Sequence, residues 1–567
     1  MAAPPERTGG QVLVDQLLAL GSSIGYCVPG ESYLDVLDAL FDHRDRFRLI
    51  NARHEGAAAN MAAAYGQLTD RPGICLVSRG PGAAHATVGV HTAAQDSSPM
   101  LLLVGDLPRE HLGRDGFQDL DCTQVFASVA KSVARVDDAS RIPEILTRSF
   151  HVATSGRPGP VVIALPQDVL EQRVHVGDLA VPARSEPAIA DADLAELIRR
   201  LREAERPIVV AGGPGWDRTA RAALAKWVSD WQLPLVTSFR QQDLLDNRSS
   251  SYVGMLGTST PRDLIDRVGR ADVVLTIGTR LDQKTSIDYA LFGPRGFGPE
   301  LIQVYPAADE IGRVADPVVA IVASARSTIT ALAESGAPTA PRWASWTADA
   351  RESYLADRRP QPQPGPVNLG EAMLTLRELL PDDAVITNGA GNFAGWIHRH
   401  FEFRDGRTQL APQSGAMGYG LPAAVAAAST GRFAVCIAGD GDFLMYPQEL
   451  ATIAEYELPV LVIVIDNGSY GTIQMHQEKR FPGRTMAVNC HDPDFTAFAK
   501  SFGIHAEAVR QTAEFRSAVS RALDHAGPAL LAVTTSPDAM STRMSLTELR
   551  RRSAELPPEQ RRALTTR

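Results

Sequence analysis

Two small oxygen-bearing side chains stand 27 positions apart: Asp440 in Gly439-Asp440-Gly441 and Asn467 in Asp466-Asn467-Gly468. Each closes an apolar run, AVCIA before the first and VLVIVI before the second. A carboxylate beside an amide oxygen suits a hard cation that takes octahedral oxygen coordination. Magnesium held in this way keeps positions for water and phosphate oxygens, so the implied ligand is a magnesium-bound diphosphate. Gly439 and Gly441 carry no side chain and let the backbone approach it. Taken singly, Asp-Gly and Asp-Asn-Gly are ordinary turns. Together, each after a hydrophobic run, they point to a site.

Such a pair works only if the two runs are neighbouring parallel strands, because ligands gather beyond the carboxyl ends of strands in α/β folds. Short apolar runs alternate with Ala-rich helical stretches along most of the chain, the rhythm of parallel α/β units. Two breaks interrupt it, VPARSEPAIAD at 181–191 and the proline-rich DRRPQPQPGPVN at 357–368, which reads as a semi-extended linker. The expected architecture is α/β with three doubly wound parallel-sheet domains, at 1–182, 190–340 and 367–545. The charged tail after Thr547 shows no core face and is expected on the surface or mobile.

The outer two units share a layout. GICLVS leads into Gly80-Pro81-Gly82, an Ala-rich helix and Pro99; AVCIA leads into Gly439-Asp440-Gly441, a helix and Pro459. From first glycine to proline the interval is 19 in one and 20 in the other. The middle unit contains PIVVAGGPGW, LPLVTSF, ADVVLTIGTRL and LIQVYP. Gly212-Gly213 there opens a dinucleotide-type turn, without the full G-x-G-x-x-G and its acidic partner.

Length and composition narrow the class. A chain of 567 residues exceeds one core, and 44% hydrophobic with 22% charged residues is ordinary for a soluble globular protein. A net charge of -10 argues against nucleic acid or an anionic membrane as the main partner. A deep anionic ligand remains compatible when a metal supplies the positive charge. Cys27, Cys75, Cys122, Cys436 and Cys490 lack C-x-x-C spacing, so neither a disulfide framework nor a zinc site is expected, and a reducing compartment fits. MAAPPERTGG does not read as a signal peptide, and no apolar run approaches the roughly 18 residues of a membrane span. The expected location is the cytoplasm.

With these motifs in place, the chain resembles thiamine-diphosphate-dependent enzymes of the acetolactate synthase and pyruvate oxidase group. GDG followed at this interval by Asn is similar to their diphosphate-binding motif. RHEGAAANMAAAYGQLTDRPGICLVSRGPGAA resembles their pyrimidine-binding domain, SGRPGPVVIALPQDV the segment closing it, and SGAMGYGLPAA the loop under the cofactor. The resemblance implies three domains: pyrimidine-binding, central and diphosphate-binding. Asp440 and Asn467 would ligate Mg2+, with the Ser469 carbonyl as third protein ligand. Met417 would hold the cofactor bent, and the Gly415 carbonyl would accept a hydrogen bond from the aminopyrimidine. Gly30, Gly80, Gly439, Gly441, Asp442, Tyr470 and Gly471 would complete the cofactor-binding set. Glu55 would face the pyrimidine ring from the first domain of a second subunit, which implies a homodimer or homotetramer with its active site at the subunit interface.

The chemistry required of Glu55 is physical. A carboxyl hydrogen-bonded to the pyrimidine promotes the imino tautomer, whose nitrogen then removes the thiazolium proton as an internal base. Read alone, Glu55 is a helix-start glutamate favoured by the dipole. By the same resemblance Phe117 and Gln118 line the active site, Lys131 fills a basic position with a surface ion pair as its rival reading, and Arg280 lies near the substrate carboxylate. His85, just past Gly80-Pro81-Gly82, reads as a structural histidine, with contact to the cofactor as the rival reading.

The pattern also departs from the family. His476 stands where acetolactate synthases carry a tryptophan, and Gln167 where they carry a lysine. Both changes touch the substrate entrance, so the substrates need not be two pyruvates. FAD stays open: the central strand reads QVYP at Gln303 where flavin-binding relatives have an acidic residue. The leading expectation is a thiamine-diphosphate- and Mg-dependent carboligase acting on a small-molecule 2-oxo acid. The alternatives are a non-oxidative 2-oxo acid decarboxylase that releases an aldehyde, a flavin- or nucleotide-binding oxidoreductase, and a non-catalytic relative.

Overall fold

The computed structural model describes residues 4–180, 185–292 and 298–561. The first expected break, at 181–191, falls in part on residues outside this set.

Runs such as GICLV, MLLLVGD and VLVIVID are apolar without alternation, as strands covered by helices on both faces must be. They form strands Gly73–Val77, Met100–Asp106 and Val460–Asp466, buried along almost their whole lengths. Three six-stranded sheets result, and every pairing within them is parallel.

The first sheet runs edge to edge as Arg48–Asn51, Ile24–Cys27, Gly73–Val77, Met100–Asp106, Pro160–Pro166 and Ser132–Arg135. The last runs as Gln409–Leu410, Val385–Asn388, Ala434–Gly439, Val460–Asp466, Ala529–Thr534 and His505–Val509. Numbered by position in the chain, both have the order 2-1-3-4-6-5, so the likeness of the outer units extends to their topology. The middle sheet, Tyr252–Met255, Leu235–Thr237, Pro207–Ala211, Val273–Ile277, Glu300–Tyr305 and Val319–Val322, has the order 3-2-1-4-5-6 of dinucleotide-type α/β folds.

The three sheets pack into two compact units. One comprises Met1–Ser185, Pro412–Arg432 and Tyr446–Pro459; the other comprises Glu186–Ala411, Phe433–Met445 and Val460–Arg567. In the first, helix Glu55–Thr69 packs on helices Gly80–Asp96 and Gly420–Ser429. All three are rich in alanine and glycine, and small side chains let their backbones come close. Helix Gly420–Ser429 is buried at every residue, and Tyr26 Oη meets Ser429 Oγ at 2.9 Å.

In the second unit the middle and last sheets are joined by polar contacts. One Asp243 oxygen accepts the Thr408 and Gln409 N–H groups at 2.8 and 3.1 Å, and Arg240 donates to the Gly389 carbonyl at 2.9 Å. Helix Ala344–Asp357 precedes the proline-rich stretch, and 358–368 forms neither helix nor strand.

The tail differs from expectation. Helix Leu546–Glu555, capped by Ser545 Oγ on the Glu548 N–H, buries Leu546, Leu549 and Ser553. Its Arg550 pairs at 2.6 Å with Glu478, which is fully buried. Its apolar positions are few and its arginines many, so the hydrophobic pattern hid a face that an ion pair helps to seat. Among the described residues no helix is long and apolar enough to cross a membrane.

Candidate functional site

The opening pair of residues meets in the second unit. Strands Ala434–Gly439 and Val460–Asp466 are adjacent, with Gly439 opposite Ile465. Their register brings the next residues together. Asp440 Oδ2 accepts the N–H groups of Asn467 at 3.0 Å and Ser469 at 3.2 Å, while Oδ1 accepts the Gly441 N–H at 2.7 Å. Asn467 Oδ1 also accepts from Ser469 N–H, at 3.1 Å. The Ser469 carbonyl takes the Gly471 N–H at 2.7 Å, and helix Gly471–Arg480 starts there. Gly441 is required by close approach: a Cβ there would lie 2.6 Å from the Tyr470 ring. Asp442 is buried and accepts the Ala390 N–H at 3.0 Å, which ties in the end of strand Val385–Asn388.

Glu55 belongs to the first unit. Helix Glu55–Thr69 begins with it, because His54 is extended and its Nδ1 accepts the Gly56 N–H at 2.9 Å as the cap. The turn before it is pinned from below by Glu449, which is fully buried and accepts the Arg53 N–H at 3.0 Å and the Thr452 hydroxyl at 2.7 Å. Burial pushes the Glu449 carboxyl up to about 7 against these hydrogen bonds. Glu55 Oε2 lies 2.9 Å from His85 Nδ1, and the His54 ring lies against His85 at 4.7 Å between centroids. Burial, and then the neighbouring His85, lower the His54 pKa.

Other expected residues lie about the start of helix Gly80–Asp96, whose Gly82 faces Glu55. Gly80 opens helix Gly80–Asp96, which carries His85, and donates to the Gln118 carbonyl at 2.9 Å. Gln118 adopts a left-handed backbone (φ 65°), and the Phe117 ring beside it is 74% exposed. Gly30 lies at the end of the neighbouring strand, close against Ser78. Gly415 and Met417 belong to the same unit but not to this cluster. Their loop is anchored near the far end of helix Gly80–Asp96, where Asp96 accepts the Gln413 N–H at 2.7 Å and Thr92 meets Ser414 at 3.4 Å.

Lys131 sits at a helix end. Its ammonium donates to the carbonyls of Val152, Ser155 and Arg157 at 2.6, 2.6 and 2.7 Å. It therefore satisfies the carboxyl end of helix Ile142–Thr154, where orphan carbonyls attract a cation, and does not join the Glu55 cluster. Arg280 follows strand Val273–Ile277 of the middle sheet and is half-buried. Gln167 accepts from Arg79 at 3.1 Å and donates to Glu171 at 3.0 Å; His476 is exposed on helix Gly471–Arg480.

Comparison with known proteins agrees with this geometry. Three family models match in order: thiamine pyrophosphate enzyme N-terminal TPP binding domain over 7–125, central domain over 194–332, and C-terminal TPP binding domain over 389–533. The acetolactate synthase large subunit of Parasynechococcus marenigrum (strain WH8102) is 31% identical over 550 residues, covering 94% of this chain and 88% of that protein. The chain belongs to the thiamine pyrophosphate enzyme family. A probable acetolactate synthase large subunit of Methanocaldococcus jannaschii is 29% identical, over 93% of this chain and 92% of its own length. Acetolactate synthase isozyme 2 large subunit of Escherichia coli (strain K12) is 28% identical, over 93% and 95%.

For a thiamine pyrophosphate enzyme the C-terminal match contains the Asp440–Asn467 knot and the N-terminal match contains Glu55; the latter ends before Lys131. The knot also fits a divalent cation by a feature that sequence reasoning missed. Carboxylate oxygens of Asp440, Asp466 and Asp492 lie within 4.8 Å of one another. Both Asp492 oxygens are out of solvent and accept no hydrogen bond among the described residues. Burial, then Asp440 and Asp466, push the Asp492 carboxyl up to about 6, and burial then Asp440 raise that of Asp466. Three carboxyls clustered in this way suit a hard cation. Asp466 was legible, since it directly precedes Asn467. Asp492, in NCHDPDF, gave no signal.

The central domain of this thiamine pyrophosphate enzyme has dinucleotide topology, but its glycine turn is occupied by the chain itself. A Cβ on Gly212 would overlap Ser238 Oγ, and one on Gly213 the Gly278 carbonyl. Gln303, at the position of the missing acid, is buried and accepts the Gly312 N–H at 3.1 Å.

Proposed function

We propose that this chain is a thiamine-diphosphate- and Mg2+-dependent carboligase of acetolactate synthase type. It decarboxylates a 2-oxo acid and transfers the remaining acyl unit to an acceptor carbonyl. The observation that carries the reading is the Asp440 carboxylate, which ties the Asn467 and Ser469 backbone to the end of the adjacent strand. Relatives named acetolactate synthase, matched over more than nine-tenths of the chain, support carboligation over simple decarboxylation or an oxidoreductase.

Asp440, Asn467 and the Ser469 carbonyl would hold the magnesium ion, with Gly439, Gly441, Asp442, Tyr470 and Gly471 shaping the diphosphate cradle. Bound thiamine diphosphate supplies the electron sink that lets carbon dioxide leave. Glu55 holds a proton at its carboxyl and delivers it to the pyrimidine ring. Phe117 and Gln118 line the cleft beside it, and Arg280 orients the substrate carboxylate. Met417 and Gly415 support the cofactor. Two copies of the chain build each site, with Glu55 from one copy meeting the strand ends of the other, in a homodimer or homotetramer. FAD is not part of the proposal. Gln167 and His476 alter the entrance, so donor and acceptor need not be two pyruvates.

The test is a panel of 2-oxo acids given to the purified chain with thiamine diphosphate and Mg2+, with CO2 and products measured together. A 2-hydroxy-2-alkyl-3-oxo acid is the expected product class. Free aldehyde as the sole product replaces carboligation by decarboxylation, and absence of CO2 release with every donor refutes the reading.

A further inference from the structure

His85 is 55% exposed in its side chain, unlike a histidine built into a core, and it meets the one carboxylate on which the proposed chemistry depends. The Nδ1···Oε2 contact of 2.9 Å is a hydrogen bond, so one proton lies on it. When His85 Nε2 is also protonated, that proton on Nδ1 gives imidazolium and carboxylate, and on oxygen it gives neutral imidazole and carboxylic acid. The two forms have the same net charge. Passing between them breaks one N–H bond, forms one O–H bond and creates no new charge in a partly buried place.

We propose that His85 is the proton-holding partner of Glu55, keeping a proton shared across this contact so that Glu55 can both give and take one without waiting for solvent. This rests on the role given to Glu55 above. His85 acts through Glu55 and is a positioning residue.

The surroundings distinguish the two histidines. His54 Nδ1 accepts the Gly56 N–H and must keep its lone pair, so His54 is neutral with its proton on Nε2. Its ring lies against His85 on one side, while Tyr446 lies 5.2 Å from it. A second imidazolium at that separation is disfavoured, and His54 has its pKa lowered by burial and by His85. Glu449 lies behind the same turn, holding the Arg53 N–H, and Cys75 and Tyr33 are near Glu55. Of these groups, His85 alone faces the Glu55 carboxylate with a hydrogen-bonded nitrogen among the described residues.

The full chain labelled with 13Cε1-histidine and free of cofactor gives the first readout. The His85 titration midpoint should fall by at least about half a pH unit in Glu55→Gln, because the neighbouring negative charge is gone. The second readout is turnover of His85→Gln, which keeps a hydrogen-bond donor but cannot titrate. Its kcat should drop at least about tenfold, the pH limb of kcat that His85 provides should vanish, and thiamine diphosphate affinity should stay within about threefold. A smaller fall in midpoint, a smaller loss of kcat or an unchanged pH profile overturns the proposal. A wild-type chain with no turnover refutes the carboligase reading, whereas an active one whose His85 midpoint ignores Glu55 refutes only the role of His85.

Discussion

At the scale of single residues, the Asp440–Asn467 knot depends on close approaches that leave no room for a further atom. Gly441 is the sharpest case. The Tyr470 ring occupies the space in which any Cβ would sit, at 2.6 Å, so Gly441→Ala must push Tyr470 or the Asp440 turn aside. The Asp440 hydrogen bonds to Asn467 and Ser469 then lengthen. The expected result is divalent affinity at least about tenfold weaker, as for disturbance of groups that orient metal ligands, read by Mn2+ titration of the variant. Unchanged affinity would mean that Tyr470 moves freely and the close approach carries no function. Lys131 makes the opposite point. Lys131→Met removes three hydrogen bonds to carbonyls at a helix end, and thermal or urea unfolding should show a loss of about 1–2 kcal/mol.

At the scale of elements, the turn between strand Arg48–Asn51 and helix Glu55–Thr69 presents Glu55, and Glu449 on helix Glu449–Glu455 holds it. The Glu449 carboxyl lies near 7 where an ordinary glutamate lies near 4.5, so the folded chain holds its proton more tightly than the unfolded one. Its stabilising contribution is complete below about pH 4.5 and is lost as the pH rises through 7. In Glu449→Gln that loss is absent. Urea unfolding of the wild type between pH 4.5 and 7 should therefore decline relative to the variant by about 3 kcal/mol across the window. Parallel pH profiles would show that Glu449 titrates alike in both states. His398 and His400 act in the other direction: burial lowers them to about 3 and about 4, so their contribution is present above pH 6.5 and fades as the pH falls. They are common to both proteins and cancel in the comparison.

At the scale of the whole molecule, the proposed sharing of each site between two copies has a consequence that no single chain can mimic. Glu55→Gln and Asp440→Asn should each abolish turnover. Unfolded and refolded together, they form mixed dimers in which one site combines an intact Glu55 with an intact Asp440. About a quarter of wild-type activity should return, since half the dimers are mixed and half their sites are whole. No recovery would place Glu55 and Asp440 of the same chain in one site.

Sequence alone determined what depends on short range. Continuous apolar runs ending in Gly439-Asp440 and Asp466-Asn467 were enough to infer parallel strands with a polar tip, because strand burial and loop chemistry are written in neighbouring residues. The repeated glycine-to-proline interval foretold two like outer sheets, and their strand orders agree. Tertiary structure decided what depends on residues distant in the chain. Asp492 joins Asp440 and Asp466 only because the chain after helix Gly471–Arg480 returns to the strand ends, and Ser469 pairs there with Asn489. Lys131 meets a helix terminus more than 20 positions away, and Glu449 meets a turn nearly 400 positions away. His85 acquires a partner 30 positions upstream because two small-residue helices pack side by side. Charge and hydrogen bonding act through space over a few ångströms, and the approach of remote segments is set by packing that no local pattern records.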